Sequence, residues 1–348
     1  MANSRIKKRR EKQTPFKRLL RIASYILIGV FLIAGGTLVY MGYKVANVAS
    51  NTQLELERGD RSSLREDAVD PGRDSVSILF LGVDSRDTDL RGRTDAMILA
   101  TFNPDDNSIN MLNIPRDARV DIIGRGKVDK INHAHAFGGV DMTIETVENL
   151  LDIPVDYFVT LNFISFMEII DELGGVEVDV PFTFSESNSR DQRGAVTIYE
   201  GRQTLNGEEA LAYVRMRKHD PRGDIGRGER QKEVLEALIK KAVSFQSITR
   251  FGALMASVED HMNTNLSFNH LVRFHSYATS LDDIDSLTLD GKGVNINGIY
   301  YYELEETSLR DVKTILKVHM GLERPTALHS LDSEWEEQET DKNKNKPG

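Results

Sequence analysis

Two aspartates stand where carboxylates could do chemistry. Asp84 directly follows a short apolar run, in Gly82-Val83-Asp84-Ser85-Arg86, and Asp95 directly precedes another, in Arg91-Gly92-Arg93-Thr94-Asp95. If both runs are strands of one sheet, the loop between them returns both carboxylates to one sheet edge, where α/β proteins often hold ligands. Two carboxylates are too few for a calcium cage. They suit Mg²⁺, which keeps waters and completes its shell with substrate phosphate. Arg86 and Arg93 are close enough in sequence to share such an anion. The competing reading is a polar loop closed by its own salt bridges. A third run ends in Ile114-Pro115-Arg116-Asp117. The proline stops that strand and fixes the direction of Arg116, which can reach the same edge. Taken alone, Arg116 and Asp117 read better as a surface ion pair.

A second constellation runs from Arg215 to Gln231 and carries Arg215, Arg217, Lys218, Arg222, Arg227 and Arg230. Arginine forks match phosphate oxygens in geometry and charge. Gln231 leads into a helix whose apolar stripe passes through Val234, Leu235, Leu238, Ala242 and Phe245. Projected backwards, the stripe passes through Gln231 and Arg227, so both point toward the core and need polar partners there. An anionic ligand is one candidate; a solvated basic loop paired with surface carboxylates is the other. His133 and His135 are two apart and would share a face on a strand, but no third metal ligand stands nearby, so they read better as loop residues near a substrate path. The sequence has no Gly-x-Ser-x-Gly elbow, Walker motif or His-Glu-x-x-His, so hydrolase and ATPase readings have no positive support.

Residues 22–43 are uncharged and long enough to span a bilayer as a helix. Nine lysines and arginines precede them and Lys44 alone closely follows, which places the N-terminus in the cytoplasm and the rest outside. A signal peptide has a shorter apolar core, so a retained anchor is the better reading. Residues 1–44 hold ten lysines and arginines and one glutamate. Of the chain's 44 basic and 54 acidic residues, that leaves 34 and 53, a net charge of −19 outside. A broad nucleic-acid surface is therefore excluded, and the arginine-rich segment is a local exception. The absence of cysteine excludes disulfides, thiolate metal sites and a cysteine nucleophile.

These elements must position the candidate residues. Segments 76–82, 96–102, 108–114, 157–161 and 176–180 read as strands. Segments 140–151 and 163–173 read as helices and 208–214 as a short helix or a helix-to-strand passage, after which an extended segment would put Arg215 and Arg217 on one face; further helices start from Arg227, Ile248, Phe268 and Leu309. The expected fold is α/β, a mixed central β-sheet flanked by helices and preceded by one transmembrane helix. The expected organisation is a basic cytoplasmic segment (1–21), a membrane helix (22–43), an extracytoplasmic stalk (44–74), one catalytic domain (75–330) and an acidic, polar tail (331–348).

Six motifs occur in order between about residues 75 and 245: Gly82-x-Asp84-x-Arg86, Arg93-x-Asp95, Ile114-Pro115-Arg116-Asp117, Lys130-Ile131-Asn132, Leu205-Asn206-Gly207-x-x-Ala210-Leu211-x-Tyr213-x-Arg215-x-Arg217 and Asp224-x-Gly226-Arg227-x-x-Arg230-Gln231. With the membrane anchor, this pattern resembles the LytR-CpsA-Psr family of Gram-positive cell walls. The resemblance implies an extracytoplasmic, single-pass membrane transferase. Such a protein moves an anionic glycopolymer, most commonly wall teichoic acid, from an undecaprenyl phosphate carrier to peptidoglycan through a phosphodiester. It implies Mg²⁺ (or Mn²⁺) on Asp84 and Asp95, with phosphates held by Arg116, Arg215, Arg217, Arg227 and Gln231 and with Arg86, Arg93 and Asp224 as neighbours. Asp84 is the nearest candidate for the base, although a carboxylate on Mg²⁺ is a weaker one. The lipid tail enters an apolar pocket between sheet and helices, for which Phe158, Phe163 and Phe166 are candidates.

Two other function classes compete. A polyprenyl-phosphate sensor without turnover could use the same arginines, and a transcriptional regulator would need more than about 20 cytoplasmic residues without a helix-turn-helix. The topology has a direct check: protease added to wall-stripped cells is expected to remove residues beyond about 50 and leave the N-terminus protected. Protection of the large domain would reverse the orientation.

Overall fold

The computed structural model describes residues 54–85, 90–217, 220–242, 258, 260–274, 277 and 284–324. The membrane segment at 22–43, Arg86, the helix expected from Ile248 and the tail lie outside these. Among the described residues no helix is long and apolar enough to cross a membrane.

The central sheet has six strands in the order β11-β6-β1-β2-β3-β12. These are β1 (Val76–Val83), β2 (Thr94–Asn103), β3 (Ser108–Asn113), β6 (Tyr157–Leu161), β11 (Met262–Thr264) and β12 (Ile284–Thr288). The sheet is mixed: β1 runs antiparallel to β2 and parallel to β6, and β3 runs parallel to β12. Strands covered on both faces read as continuous apolar runs. Alternate residues then feed two cores. Leu79, Leu81, Met97, Leu99 and Leu112 pack under helices α1 (His133–Leu151) and α6 (Glu306–His319). Ile78, Ile98, Ala100 and Met111 face the opposite way, toward Leu235 and Ile239 of α4 (Asp224–Ala242) and toward Phe274, just beyond α5 (Phe268–Arg273). Helices therefore cover both faces.

A third core sits beside the sheet. It joins α2 (Phe163–Glu172) and α3 (Gly207–Arg215) to α4 and to short strands β7 (Val176–Val180), β8 (Phe184–Glu186), β9 (Val196–Ile198) and β10 (Gly201–Leu205). Capping boxes set the starts of α2, through Asn162 and Ser165, and of α3, through Asn206 and Glu209. Two further hairpins flank the sheet: β4 (Arg119–Ile122) with β5 (Lys127–Lys130), and β13 (Gly291–Ile296) with β14 (Ile299–Leu304).

Three sequence expectations need correction. The helix expected from Val140 starts at His133 and is kinked at Gly138 and Gly139. His133 and His135 therefore lie in a helical turn and do not share a strand face. His133 Nδ1 meets Asp129 Oδ1 at 3.1 Å, while His135 Nδ1 is 3.0 Å from the carbonyl of Gly92. The segment 215–217 is likewise not extended throughout, because Arg215 ends α3 and the buried Met216 caps it.

Residues 54–74 have no regular structure but are tied to the body. Leu56 enters the core under α1. Arg58 and Ser62 donate to Glu148 of α1, each at 2.7 Å. Arg65 donates to both oxygens of Asp156, at 3.0 and 2.7 Å, and Asp156 also accepts from the Ser77 amide. Removing one partner of a buried pair leaves the other charge uncompensated, at about 3–5 kcal/mol. Arg65→Ala is therefore expected to destabilise the domain by about that amount in urea unfolding, while Arg73→Ala, whose side chain is 78% exposed, leaves stability near the parent. Equal stability of Arg65→Ala and the parent would mean that this strap carries no load.

Candidate functional site

Three cavities meet at Asp95. The first holds about 960 Å³ including its mouth, between β1–β2, α2, α3 and α4. Most of its walls are apolar: Phe80, Ile98 and Leu161 from the sheet, Phe163 and Phe166 from α2, Leu211 and Val214 from α3, and Leu235 and Leu238 from α4. Its polar members are Asp95, Asn162, Arg215, Arg227 and Gln231. Arg227, Gln231, Leu235 and Leu238 follow one helical face over about 16 Å. The cavity thus passes along α4 from a charged end to an apolar end. Phe158, by contrast, is fully buried in the core under α1.

The second cavity, about 830 Å³, is lined by Asp84, Arg93, Asp95, Arg116, Asp117, Lys130, Asn132 and His133. The loop from β1 to β2 thus brings both aspartates to one pocket. Arg116 donates to Asp95 Oδ1 at 2.5 Å and lies 3.6 Å from Asp117. Lys130 holds the other oxygen of Asp117 at 2.7 Å. Asn132 caps the start of α1 without a side-chain hydrogen bond. It is 5% exposed, and its Oδ1 has no partner among the described residues. A buried orphan oxygen beside two carboxylates gives an all-oxygen donor set, which fits a hard cation such as Mg²⁺. Among the described residues no group of three histidine or carboxylate side chains is close enough to form a metal cage.

The arginines divide into two kinds. Arg230 is 3% exposed and structural. It donates to Tyr213 O at 3.1 Å, to Met216 O, and to Asp220 Oδ2 at 2.5 Å. It therefore ties the loop after α3 to the first turns of α4. Gly226 lies against this pair, and a Cβ there would collide with the Asp220 carboxylate. Tyr213 completes the clamp by donating to Glu233 at 2.7 Å, with its ring against Arg230.

Arg227, one turn earlier, faces the ligand space and lines the first cavity. Asp224 is its ion-pair partner at 3.0 Å. Burial first, and then the charge of Arg116, depress its pKa, against Asp224 and Asp95. Arg116 goes the other way: burial opposes its charge, but Asp95 and then Asp117 and Asp224 raise its pKa. Both remain cations, since guanidinium does not deprotonate in proteins. Two cations are thus brought together in partly buried surroundings.

The remaining sequence candidates are spread around this centre. Arg215 lines the apolar cavity, 5.0 Å from the Phe163 ring centroid and 3.3 Å from Asp191. Arg217 is half-exposed, 3.8 Å from Asp224, and lines none of these three cavities. Arg93 is exposed at the rim of the second cavity. Lys130 and Asn132 are new to the site. Their motif was visible in the sequence, but nothing in residue type or spacing showed which way they face.

The LytR_cpsA_psr family model matches residues 39–318. The polyisoprenyl-teichoic acid–peptidoglycan teichoic acid transferase TagU of Bacillus licheniformis is 43% identical over 312 residues, covering 89% of this chain and 98% of that protein. Among solved structures, TagT bound to LIIa-WTA superposes with a TM-score of 0.67 at 42% identity, covering 77% of this chain and 99% of that one. The LytR-CPS2A-psr family protein YwtF (TagT) with bound octaprenyl pyrophosphate lipid has a TM-score of 0.63 at 40% identity, with the same coverage of each chain. With a family match across most of its length and relatives this close over nearly their whole length, the chain belongs to the LytR-CpsA-Psr family.

Proposed function

We propose that this chain is a transferase that moves teichoic acid, as an anionic glycopolymer, from a polyisoprenyl pyrophosphate carrier to peptidoglycan. The observation that carries the reading is Arg227. It is a partly buried cation beside Arg116, at the charged end of a cavity whose other walls are apolar. A polyprenyl pyrophosphate has the matching form: an anionic head for Arg227, Arg116, Arg215 and Gln231, and a hydrocarbon tail for Phe163, Phe166, Leu235 and Leu238. An anion between Arg116 and Arg227 relieves the like-charge repulsion that the protein alone sustains. The relatives named above, a teichoic acid transferase and a TagT with octaprenyl pyrophosphate bound, support this reading.

In the reaction, a peptidoglycan hydroxyl oxygen bonds to the phosphorus next to the glycopolymer. The bond from that phosphorus to the bridging oxygen breaks, and polyprenyl monophosphate leaves with the electron pair. The hydroxyl proton goes to Asp84, which lines the exposed end of the second cavity. Such transfer depends mainly on positioning and charge stabilisation. Asp84, Asp95 and Asn132 would hold Mg²⁺, which supplies further neutralisation of the phosphate oxygens. Residues 22–43 anchor the chain in the membrane, with the domain on the extracytoplasmic side of a Gram-positive envelope. That location gives it access to both the lipid carrier and the wall.

Loss of a charged hydrogen bond costs about 1.5–3 kcal/mol, so Arg227→Ala is expected to weaken polyprenyl pyrophosphate binding about 10- to 150-fold with little change in melting temperature. Arg217→Ala is expected to have the smaller effect. Asp84→Ala and Asp95→Ala should retain lipid binding but lose divalent-dependent product formation by several orders of magnitude. Parent-like binding by Arg227→Ala would remove the clamp assignment. A parent chain that binds the lipid and forms no coupled product with peptidoglycan would favour the sensor reading.

A further inference from the structure

A third cavity, about 1110 Å³ including its mouth, opens between α4 and the β13–β14 hairpin. It shares Asp95, Arg227 and Gln231 with the apolar cavity, and Asp95, Arg116 and Asp117 with the carboxylate pocket. The helix is the partition. On the helix Arg227, Leu238, Gln231 and Leu235 span about 80°, and Gly228 and Lys232, which line the third cavity, continue about 20° and 60° beyond the edge of that stripe.

Its charges are matched internally. Five carboxylates line it against four cations, so it has no surplus to attract a second polyanion. Arg222 is bound to Glu229, Arg227 to Asp224, and Lys232 to Ser286. What the cavity does present is a pair of aromatic rings. Tyr300 and Tyr302 are two apart on β14 and share one face of the hairpin. A Cβ on Gly293 would lie 2.8 Å from Tyr300 Cε2, and one on Gly291 2.8 Å from Tyr302 Cε1. Glycine in β13 thus lets both rings lie close against the backbone. Tyr300 remains 43% exposed at the cavity wall.

We propose that this cavity binds an uncharged saccharide, the acceptor glycan, with Tyr300 and Tyr302 as its stacking platform and Asp290, Thr288 and Asn113 as partners for sugar hydroxyls. The assignment rests on the transferase reading above. Rings with an apolar face and a polar tip suit a sugar, whose CH-bearing face stacks while its hydroxyls hydrogen-bond. The donor's own chain is polyanionic and finds no surplus of cations among these five carboxylates and four basic residues. Attacking and leaving oxygens stand roughly in line across the transferred phosphorus. The leaving polyprenyl phosphate belongs to the apolar cavity, so the acceptor must approach from another side of Asp95 and Arg227. The third cavity opens there.

The test uses the full chain in detergent, saturating lipid-linked teichoic acid precursor and a soluble uncross-linked peptidoglycan oligosaccharide as varied acceptor. Tyr300→Ala is expected to raise the KM for the oligosaccharide about tenfold and to leave kcat and the precursor KM within twofold. Tyr300→Phe keeps the stacking face and should stay near the parent in all three. An unchanged acceptor KM in Tyr300→Ala overturns the proposal, and so does a rise confined to the precursor KM, which would give the cavity to the donor's sugars. If the parent forms no product, the transferase reading fails by itself. Calorimetric titration of the same oligosaccharide then decides the cavity: weaker binding by Tyr300→Ala than by the parent supports a saccharide site, and equal or absent binding overturns it.

Discussion

Water is almost wholly excluded from the ion pair between Arg230 and Asp220, and the placement of the site's other cations follows from it. The pair costs desolvation, and one partner without the other would be a buried uncompensated charge. Arg230 is satisfied because its remaining donors reach two backbone carbonyls, those of Tyr213 and Met216. These bonds fix where α3 ends and in which direction α4 begins. Once α4 is fixed, helical geometry turns Arg227 and Gln231 toward Asp95 and sends Leu235 and Leu238 along the same stripe. Gly226 is part of the same constraint, since any side chain there would push Asp220 away from Arg230.

The arrangement also explains how cations can be kept close together in an acidic protein. Arg116 donates to Asp95 and lies beside Asp117, so its charge is locally balanced. Arg227 has Asp224, but burial and Arg116 oppose it. The less well balanced cation is therefore Arg227, on the wall that the apolar and aromatic cavities share. An anion that arrives there meets donors already positioned, with little reorganisation to add to the cost of binding.

The parts of the fold legible in the sequence were those with strong burial. β1, β2 and β3 are covered on both faces and read as continuous apolar runs; α2 and α3 begin at capping boxes. β12, β13 and β14 are short and largely exposed, so no apolar period marks them. The start of α1 was hidden for a different reason. Asn132 makes no capping bond and Gly138-Gly139 breaks the helical pattern, which left His133 and His135 looking like loop residues. At the site, the loop geometry implied by Asp84 and Asp95 and the backward projection of the α4 stripe both describe lining that the structure contains. The six arginines and lysines between 215 and 230 could not be sorted by type. Only packing separates Arg230, enclosed by carbonyls, from Arg227, which faces open space.

Asp95 carries more of the design than its ordinary position on a strand suggests. As the second residue of β2 it lies next to Thr94, which is fully buried, while its own carboxylate is about one-third exposed. A longer side chain on α4 at Gly228 would meet Asn113 at the end of β3. Glycine there lets α4 sit against the Asn113 side chain, which a Cβ would displace. Close approach makes α4 a partition between the apolar cavity and the aromatic one, which share Arg227 and Gln231, while the oxygen cluster adjoins the aromatic one through Arg116; all three meet at Asp95. A reaction that joins a lipid-borne phosphate to a wall polymer needs that topology, because a donor with a hydrocarbon tail and a hydrophilic acceptor must meet at one phosphorus.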